Sequence, residues 1–233
     1  MPYERALGAA FRLLDLGFFR IGGEAYAEAN NTFGLATIRK EHVRIEGGQM
    51  VFDYPAKSGV RRVQAIVDPM SLEIVTKLKR RRGGGDELLA FKQGRGWHDV
   101  RSGEINDYLK EITGAGYSAK DFRTWNATVL AATALAVSGE VAGSKTGRKR
   151  AISRAVKEVA HYLGNTPAVC RASYIDPRVF DAYDGGLIIR PALEEAAGGS
   201  DTVLSIHQRT VEEAVIDLIG ERVSAPGVEK VAA

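Results

Sequence analysis

One cysteine, Cys170, stands among 233 residues. No internal disulfide can form, and a reducing cytoplasm is the simple setting. A lone cysteine also cannot build a zinc site, and the four histidines, at 42, 98, 161 and 207, have no metal-ligand spacing between them. No apolar run approaches the roughly 18 residues that would span a bilayer. The first apolar stretch is soon broken by Arg12 and Asp15, so it is no signal peptide. A phosphate-binding P-loop and a Gly-x-Ser-x-Gly elbow are both missing. Gly114-Ala-Gly116-Tyr-Ser-Ala119 comes near a dinucleotide fingerprint but follows a helical pattern instead of a strand. The common hydrolase and redox chemistries are thus unsupported.

What is present is ordinary in amount and uneven in placement. Hydrophobic residues make up 45% and charged residues 26%, as in globular proteins. The length suffices for one large domain or two small ones. The net charge is only +3, yet residues 176–233 hold 5 basic and 11 acidic side chains. The first 175 residues therefore hold 27 basic and 18 acidic ones. Lys77 to Arg101 has 8 basic against 3 acidic residues, and Lys145 to Lys157 has 6 basic and none acidic. Such clusters on a folded, non-repetitive body suit a polyanionic partner, although solvated helix faces carry similar runs.

Periodicity divides the chain. Residues 2–17 read as a helix with Leu7, Ala10, Phe11 and Leu14 on one face. Residues 33–38, 43–45, 50–54 and 63–67 read as short strands divided by turn signals such as Gly47-Gly48, giving a small antiparallel sheet. From Pro69 onward the pattern is helical, over 69–80, 102–113, 118–138, 145–163 and 201–219. Ser102 reads as the cap of its helix, and Gly114 with Gly116 as its stop. Lys79–Gly85 reads as a flexible basic loop, and Val141–Gly147 as another that opens the next helix. The expected fold is α+β: mostly helical, with a small antiparallel sheet near the N-terminus. A helix-plus-sheet subregion spans 1–68 and a mainly helical one spans 69–233.

Four segments in order resemble the catalytic domain of the type IB DNA topoisomerases. They are Phe19-Arg20-Ile-Gly-Gly-Glu-Ala-Tyr26 with Asn31-Thr-Phe-Gly-Leu-Ala-Thr37; Phe52-Asp-Tyr-Pro-Ala-Lys57-Ser-Gly-Val-Arg61; Lys120-Asp-Phe-Arg123-Thr-Trp125; and Leu163-Gly-Asn165-Thr-Pro-Ala-Val-Cys-Arg-Ala-Ser-Tyr174-Ile-Asp-Pro177. Residues 103–114 resemble the helix ahead of the third segment. Singly these pieces say little, since a lone Tyr is usually a core residue and a lone Lys or Arg is usually solvated. Their joint order is what is specific.

The resemblance implies Arg20, Lys57, Arg123, Asn165 and Tyr174 as catalytic residues. Tyr174 is then the nucleophile on a DNA phosphodiester, forming a 3′-phosphotyrosyl bond, and Lys57 the general acid for the 5′-oxygen. Arg20 and Arg123 suit spreading phosphoryl charge, because a guanidinium holds two oxygens at once. Two permanent charges can replace the metal of other phosphoryl-transfer enzymes. Exchange of one phosphodiester for another conserves bond energy, so neither ATP, metal nor other cofactor is expected. Tyr26 and Lys120 in these segments, with Lys145, Arg148, Lys149 and Arg150, are the expected contacts to double-stranded DNA. No membrane partner is expected; a monomer in the cytoplasm, associated with the nucleoid, is.

Two departures stand out. Many relatives place His nine residues before the tyrosine, where this chain has Asn165. An amide cannot carry a proton in catalysis but donates well, so a hydrogen bond to a non-bridging oxygen is expected there. Relatives also carry a smaller N-terminal clamp domain that this chain is expected to lack, as a catalytic fragment or natural short form. A site-specific tyrosine recombinase is the nearest alternative. Those enzymes usually have His three residues before their second arginine, where Lys120 stands here. A non-catalytic DNA-binding protein is a more distant one. Cys170 and His161 read as structural residues.

Overall fold

The computed structural model describes residues 1–114, 116–138, 144–198 and 204–231, with the backbone alone for 204–207. The chain forms two compact units, Met1–Arg123 and Thr124–Ala233.

The first unit opens with α1 (Tyr3–Leu16), whose apolar positions recur at helical spacing and bury Ala6, Leu7, Ala10, Leu13 and Leu14. A short α2 (Glu24–Asn30) follows. The sheet consists of β1 (Val43–Glu46), β2 (Gln49–Pro55) and β3 (Arg61–Ile66), antiparallel in that order. The register sets Met50 against Ile66, Phe52 against Gln64 and Tyr54 against Arg62. Met50, Phe52, Tyr54 and Ile66 are buried, whereas the alternate residue Val63 is exposed. The sheet thus has a core face and a wet face, as period-two patterning requires. Then come α3 (Pro69–Lys79), β4 (Ala90–Gln93), β5 (Gly96–Asp99), α4 (Ser102–Thr113) and the start of α5 (Ala119–Val137). Helix α1 packs on α3, α4 and β4, and one apolar cluster joins Leu7, Leu13, Phe19, Phe52, Leu78, Leu88 and Leu109.

The second unit takes the rest of α5, with α6 (Lys145–Leu163), α7 (Pro167–Ser173), α8 (Arg178–Asp184), β6 (Leu187–Ile188), α9 (Arg190–Gly198), α10 (Leu204–Ile219) and β7 (Glu229–Lys230). Helix α6 buries Ile152, Ala155, Val156, Val159 and Leu163, and packs on α7 and α8. Helix α10 packs on α8 and α9.

The mostly helical α+β reading holds, and the helices over 102–113 and 145–163 fall where periodicity puts them. Three expectations fail. Residues 33–38 form no strand. Leu35–Thr37 is a 3₁₀ turn, closed by the Gly34 N–H donating to Thr37 Oγ1 at 3.0 Å. The chain after Pro69 is not wholly helical, because β4 and β5 pair as a hairpin and β6 pairs with β7. Ser102 is not the cap of α4. That place belongs to Arg101, whose N–H donates to Glu104 at 2.7 Å. Both the N–H and hydroxyl of Ser102 instead donate to the Glu24 carboxylate, at 2.6 and 2.9 Å.

The loop read over 79–85 does follow the end of α3, but one of its basic residues is not solvated. Arg81 is 8% exposed. Its guanidinium donates to the carbonyls of Leu78, Leu88, Gly85 and Glu87 and lies over the Trp97 ring. This arginine is a strut of the loop, because four carbonyls replace the water it gives up. The loop read over 141–147 lies, for 141–143, outside the described residues, as do residue 115 between Gly114 and Gly116 and the first three residues of the helix read over 201–219.

Candidate active site

Arg20 is held by its main chain. Its carbonyl accepts the Leu35 N–H and that of Ile21 accepts the Ala36 N–H, both at 2.8 Å. The two segments touch backbone to backbone at Gly22 and Gly34. A β-carbon on Gly34 would lie 2.5 Å from Gly22 N and 2.6 Å from the Arg20 carbonyl oxygen. Gly22 also has φ +77°, a conformation other residues rarely adopt. This contact explains why residues 33–37 leave the extended form despite their β-rich composition.

Lys57 stands at the tip between β2 and β3 and is exposed. The turn is closed by the Ala56 N–H donating to Val60 at 2.8 Å and the Gly59 N–H donating to Ala56 at 2.9 Å. The Phe33 N–H donates to the Pro55 carbonyl at 2.8 Å, so the segment that pins Arg20 also pins the base of this turn. Below the tip, Arg61 grips Asp53 through Nε and a terminal nitrogen, at 2.8 and 2.7 Å, while Arg44 reaches the same carboxylate at 3.3 Å. The Arg61 hydrogen bond, helped by that of Arg44, lowers the Asp53 pKa to about 2. Arg20, Lys57 and Tyr26 line one pocket of about 180 Å³, with Gly22, Gly23, Thr32 and Phe33. Tyr26 is half exposed on α2, whose start is fixed by the Glu24–Ser102 bonds.

Arg123 sits on the first turns of α5 and is 3% exposed. Its guanidinium donates to the Phe18 carbonyl, two residues ahead of Arg20. The neighbouring Phe122 meets Phe11 of α1 edge-on at 5.4 Å. Burial raises the pKa of Tyr54, while the charges of Arg62, Arg123 and Arg20 oppose the rise. Three arginines therefore act on a single phenol. The first unit thus gathers Arg20, Lys57 and Arg123, spread over more than a hundred residues of sequence. Lys120 lies one turn before Arg123 and is exposed.

Tyr174 and Asn165 flank α7 in the second unit. Helix α6 ends at Gly164 in the left-handed conformation (φ 61°), and the Asn165 N–H donates to the Ala160 carbonyl at 3.0 Å. Thr166 caps α7 by accepting the Val169 N–H, and Pro167 occupies its first turn. Tyr174 is the residue just past the last helical one. Its N–H and that of Ile175 both donate to the Cys170 carbonyl, at 3.0 and 3.2 Å. Cys170 and Ile175 are buried on either side, which leaves Tyr174 half-buried at a helix end. The Asp176 N–H donates to Thr128 Oγ1 at 3.1 Å. The hydrogen bonds from Arg178 keep the Asp176 carboxyl below its ordinary pKa.

Of the basic residues opening α6, Lys145, Lys149 and Arg150 are exposed. Arg148 is half-buried and paired with Asp184 at 3.6 Å. Ser144 caps this helix by accepting the Gly147 N–H at 3.1 Å. Among the described residues, no helix is long and apolar enough to cross a membrane. Sequence reasoning missed Tyr54 and Arg62. Their alternation with Phe52 and Gln64 across a two-stranded pattern is the signal that was available.

Residues 1–186 match the family model of the eukaryotic DNA topoisomerase I catalytic core. A DNA topoisomerase 1B of Acanthamoeba polyphaga mimivirus is 28% identical over 171 residues, covering 70% of this chain and 50% of that protein. The DNA topoisomerase 1 of Schizosaccharomyces pombe is 30% identical over 130 residues, covering 55% of this chain and 15% of that one. The DNA topoisomerase I of monkeypox virus is 21% identical over 174 residues, covering 74% and 52%. The matched region spans about half the length of the viral relatives and a smaller part of the yeast one. With four fifths of its length matched by the family model, the chain belongs to the type IB DNA topoisomerases, and the part it matches is their catalytic core.

Proposed function

We propose that this chain relaxes supercoiled double-stranded DNA by transient single-strand cleavage. Tyr174 Oη gives up its proton to water and attacks the scissile phosphorus as the phosphorus–O5′ bond breaks, and Lys57 gives its proton to the leaving oxygen. The product is a 3′-phosphotyrosyl bond and a free 5′-hydroxyl. After the broken strand swivels, the 5′-hydroxyl attacks in turn, returns its proton to Lys57 and releases Tyr174, whose oxygen takes a proton back from water. Arg20, Arg123 and Asn165 donate to the non-bridging oxygens, where a well-placed donor is worth about 3–4 kcal/mol in the transition state. Tyr26, Lys120, Lys145, Arg148, Lys149 and Arg150 contact the duplex along its phosphates. The reaction needs neither ATP nor metal, and the enzyme works as a monomer on the cytoplasmic nucleoid.

The observation that carries this reading is the gathering of Arg20 and Arg123 around the Tyr54 phenol, with Lys57 on the pocket of Arg20. It supports a fixed cationic receptor for one phosphodiester. The test is a covalent adduct on denaturing gels with a duplex labelled 5′ of the nick. The parent chain forms it, and Tyr174→Phe, which keeps the ring, forms none while still binding DNA. Relaxation by the Phe variant near the parental rate overturns the assignment. Relaxation of a plasmid without special sites separates this activity from that of a recombinase.

A further inference from the structure

The inner face of the sheet holds an arginine that the reaction above does not use. The β2–β3 register makes Tyr54 and Arg62 direct cross-strand partners, and both face the core side with Phe52 and Gln64. Tyr54 is 3% exposed and Arg62 is half-buried. The Arg62 side chain hydrogen-bonds the Tyr54 hydroxyl and also donates to Gln64 Oε1 at 3.5 Å. Burial weakens its hold on its proton, and the charge of Arg20 repels it further. The outer face of the same strands differs. There Asp53 neutralises Arg61 and Arg44. Like charges brought together away from water repel one another. An arrangement of that kind is relieved when a phosphodiester arrives, because the anion is attracted by all three guanidinia.

We propose that Arg62 is a positioning residue of the scissile-phosphate site. It holds the Tyr54 phenol that lies among the arginines and adds a third positive charge to the field of Arg20 and Arg123. The inference rests on the reading of the preceding subsection. Arg62 acts through Tyr54 and through its charge, without touching the reacting atoms.

The test uses the full chain and two duplexes, one with an ordinary scissile phosphodiester and one with a methylphosphonate there, which lacks the charged non-bridging oxygen. Arg62→Gln is expected to slow single-turnover cleavage of the ordinary duplex on the order of tenfold, with DNA affinity held within about twofold. On the methylphosphonate the loss shrinks to about twofold, because a third cation has less charge to stabilise. Arg62→Lys, which keeps the charge, recovers most of the rate. Tyr54→Phe removes only the hydroxyl, slows the ordinary duplex several-fold, and adds little to Arg62→Gln, as expected of two members of one unit.

An equal loss on both duplexes makes Arg62 a plain structural residue and overturns the proposal, as does a parental rate. If thermal melting shows Arg62→Gln unfolded, Tyr54→Phe on the same two duplexes decides by the same criterion. A parent chain that forms no adduct with either duplex sinks the function and this inference together. A parent that cleaves while its variants lose equally on both sinks this inference alone.

Discussion

The two units hold their functional side chains by different means. In the first, Arg20 and Lys57 are placed by main-chain hydrogen bonds that run through residues 33–37, and Arg123 is buried with its guanidinium on a carbonyl. In the second, Asn165 and Tyr174 sit in the two turns that flank a seven-residue helix. The difference matches the tasks proposed for them. Donors that stabilise developing charge work best when they need not reorganise during the reaction. A nucleophile must project from its support, and a helix end lets it do so while its neighbours Cys170 and Ile175 stay in the core.

The sharpest test of this contrast is Lys57, the exposed member of an otherwise pinned set. Lys57→Ala should slow cleavage of ordinary DNA on the order of 10³-fold, within the usual reach of general acid catalysis. A substrate with sulfur at the bridging 5′ position has a leaving group that hardly needs a proton, and should be cleaved almost normally. Equal impairment of both substrates would move Lys57 to another role.

Asn165 tests the second unit. Asn165→Ala should lose about 10²-fold in single-turnover cleavage with DNA binding nearly intact, as for one lost neutral donor. Asn165→His should recover most of that rate. Cleavage by the alanine variant at the parental rate would make Asn165 a loop former only.

Gly34 breaks the first unit from a distance. The methyl of Gly34→Ala meets main-chain atoms of residues 20 and 22, which cannot swing aside as a side chain would. Cleavage should fall about tenfold, as expected when a charge-stabilising donor is displaced, with little change in affinity. Gly8→Ala in α1, where nothing lies within 4 Å of the added carbon, should be silent in the same assay. If both variants behave alike, the backbone contact does not position Arg20.

The smallest effect concerns Asp53. Its pKa falls from an ordinary 3.8 to about 2 through the Arg61 hydrogen bond. A depressed carboxylate stabilises the fold above its ordinary pKa, and that contribution is lost as pH falls from about 4 toward 2. Amide exchange in β2 and β3 should therefore quicken over that window. Asp53→Asn should abolish the pH dependence, with little effect at neutral pH because the pair is exposed.

Much of this arrangement was legible in the sequence, for identifiable reasons. Helix α6 shows apolar residues at helical spacing from Ala151 to Leu163, a serine before it and a glycine after it, so local signals agree along its length. The β2–β3 hairpin was legible through alternation. Residues 33–38 misled because their composition favours strand while the deciding force is contact with Gly22, a partner eleven or more residues away. Arg81 looked like a loop cation because its four carbonyl partners only converge in the folded chain. The hairpin of β4 and β5 was missed because each strand is four residues long, although Phe91, Trp97 and His98 are the side chains expected of it. The family segments carried the five residues proposed for the site. Arg62 lay beyond their reach, since its meaning depends on which residue stands opposite.

The placement of Tyr174 also has a mechanical side. In the proposed reaction this residue is the sole tether of a DNA strand while the other end rotates under torsion. Pull on the phenol passes first into the main chain at 174 and 175, where both N–H groups grip the Cys170 carbonyl. From there the load divides between two buried side chains, Cys170 and Ile175, and the Asp176 N–H anchored on Thr128. A tyrosine in the middle of a long exposed loop would stretch that loop before it resisted. Here the strain meets packed interior at Ile175, the next residue, and at Cys170, one helical turn before, so the tether is short and stiff, and the phosphotyrosyl bond stays where the returning 5′-hydroxyl can find it.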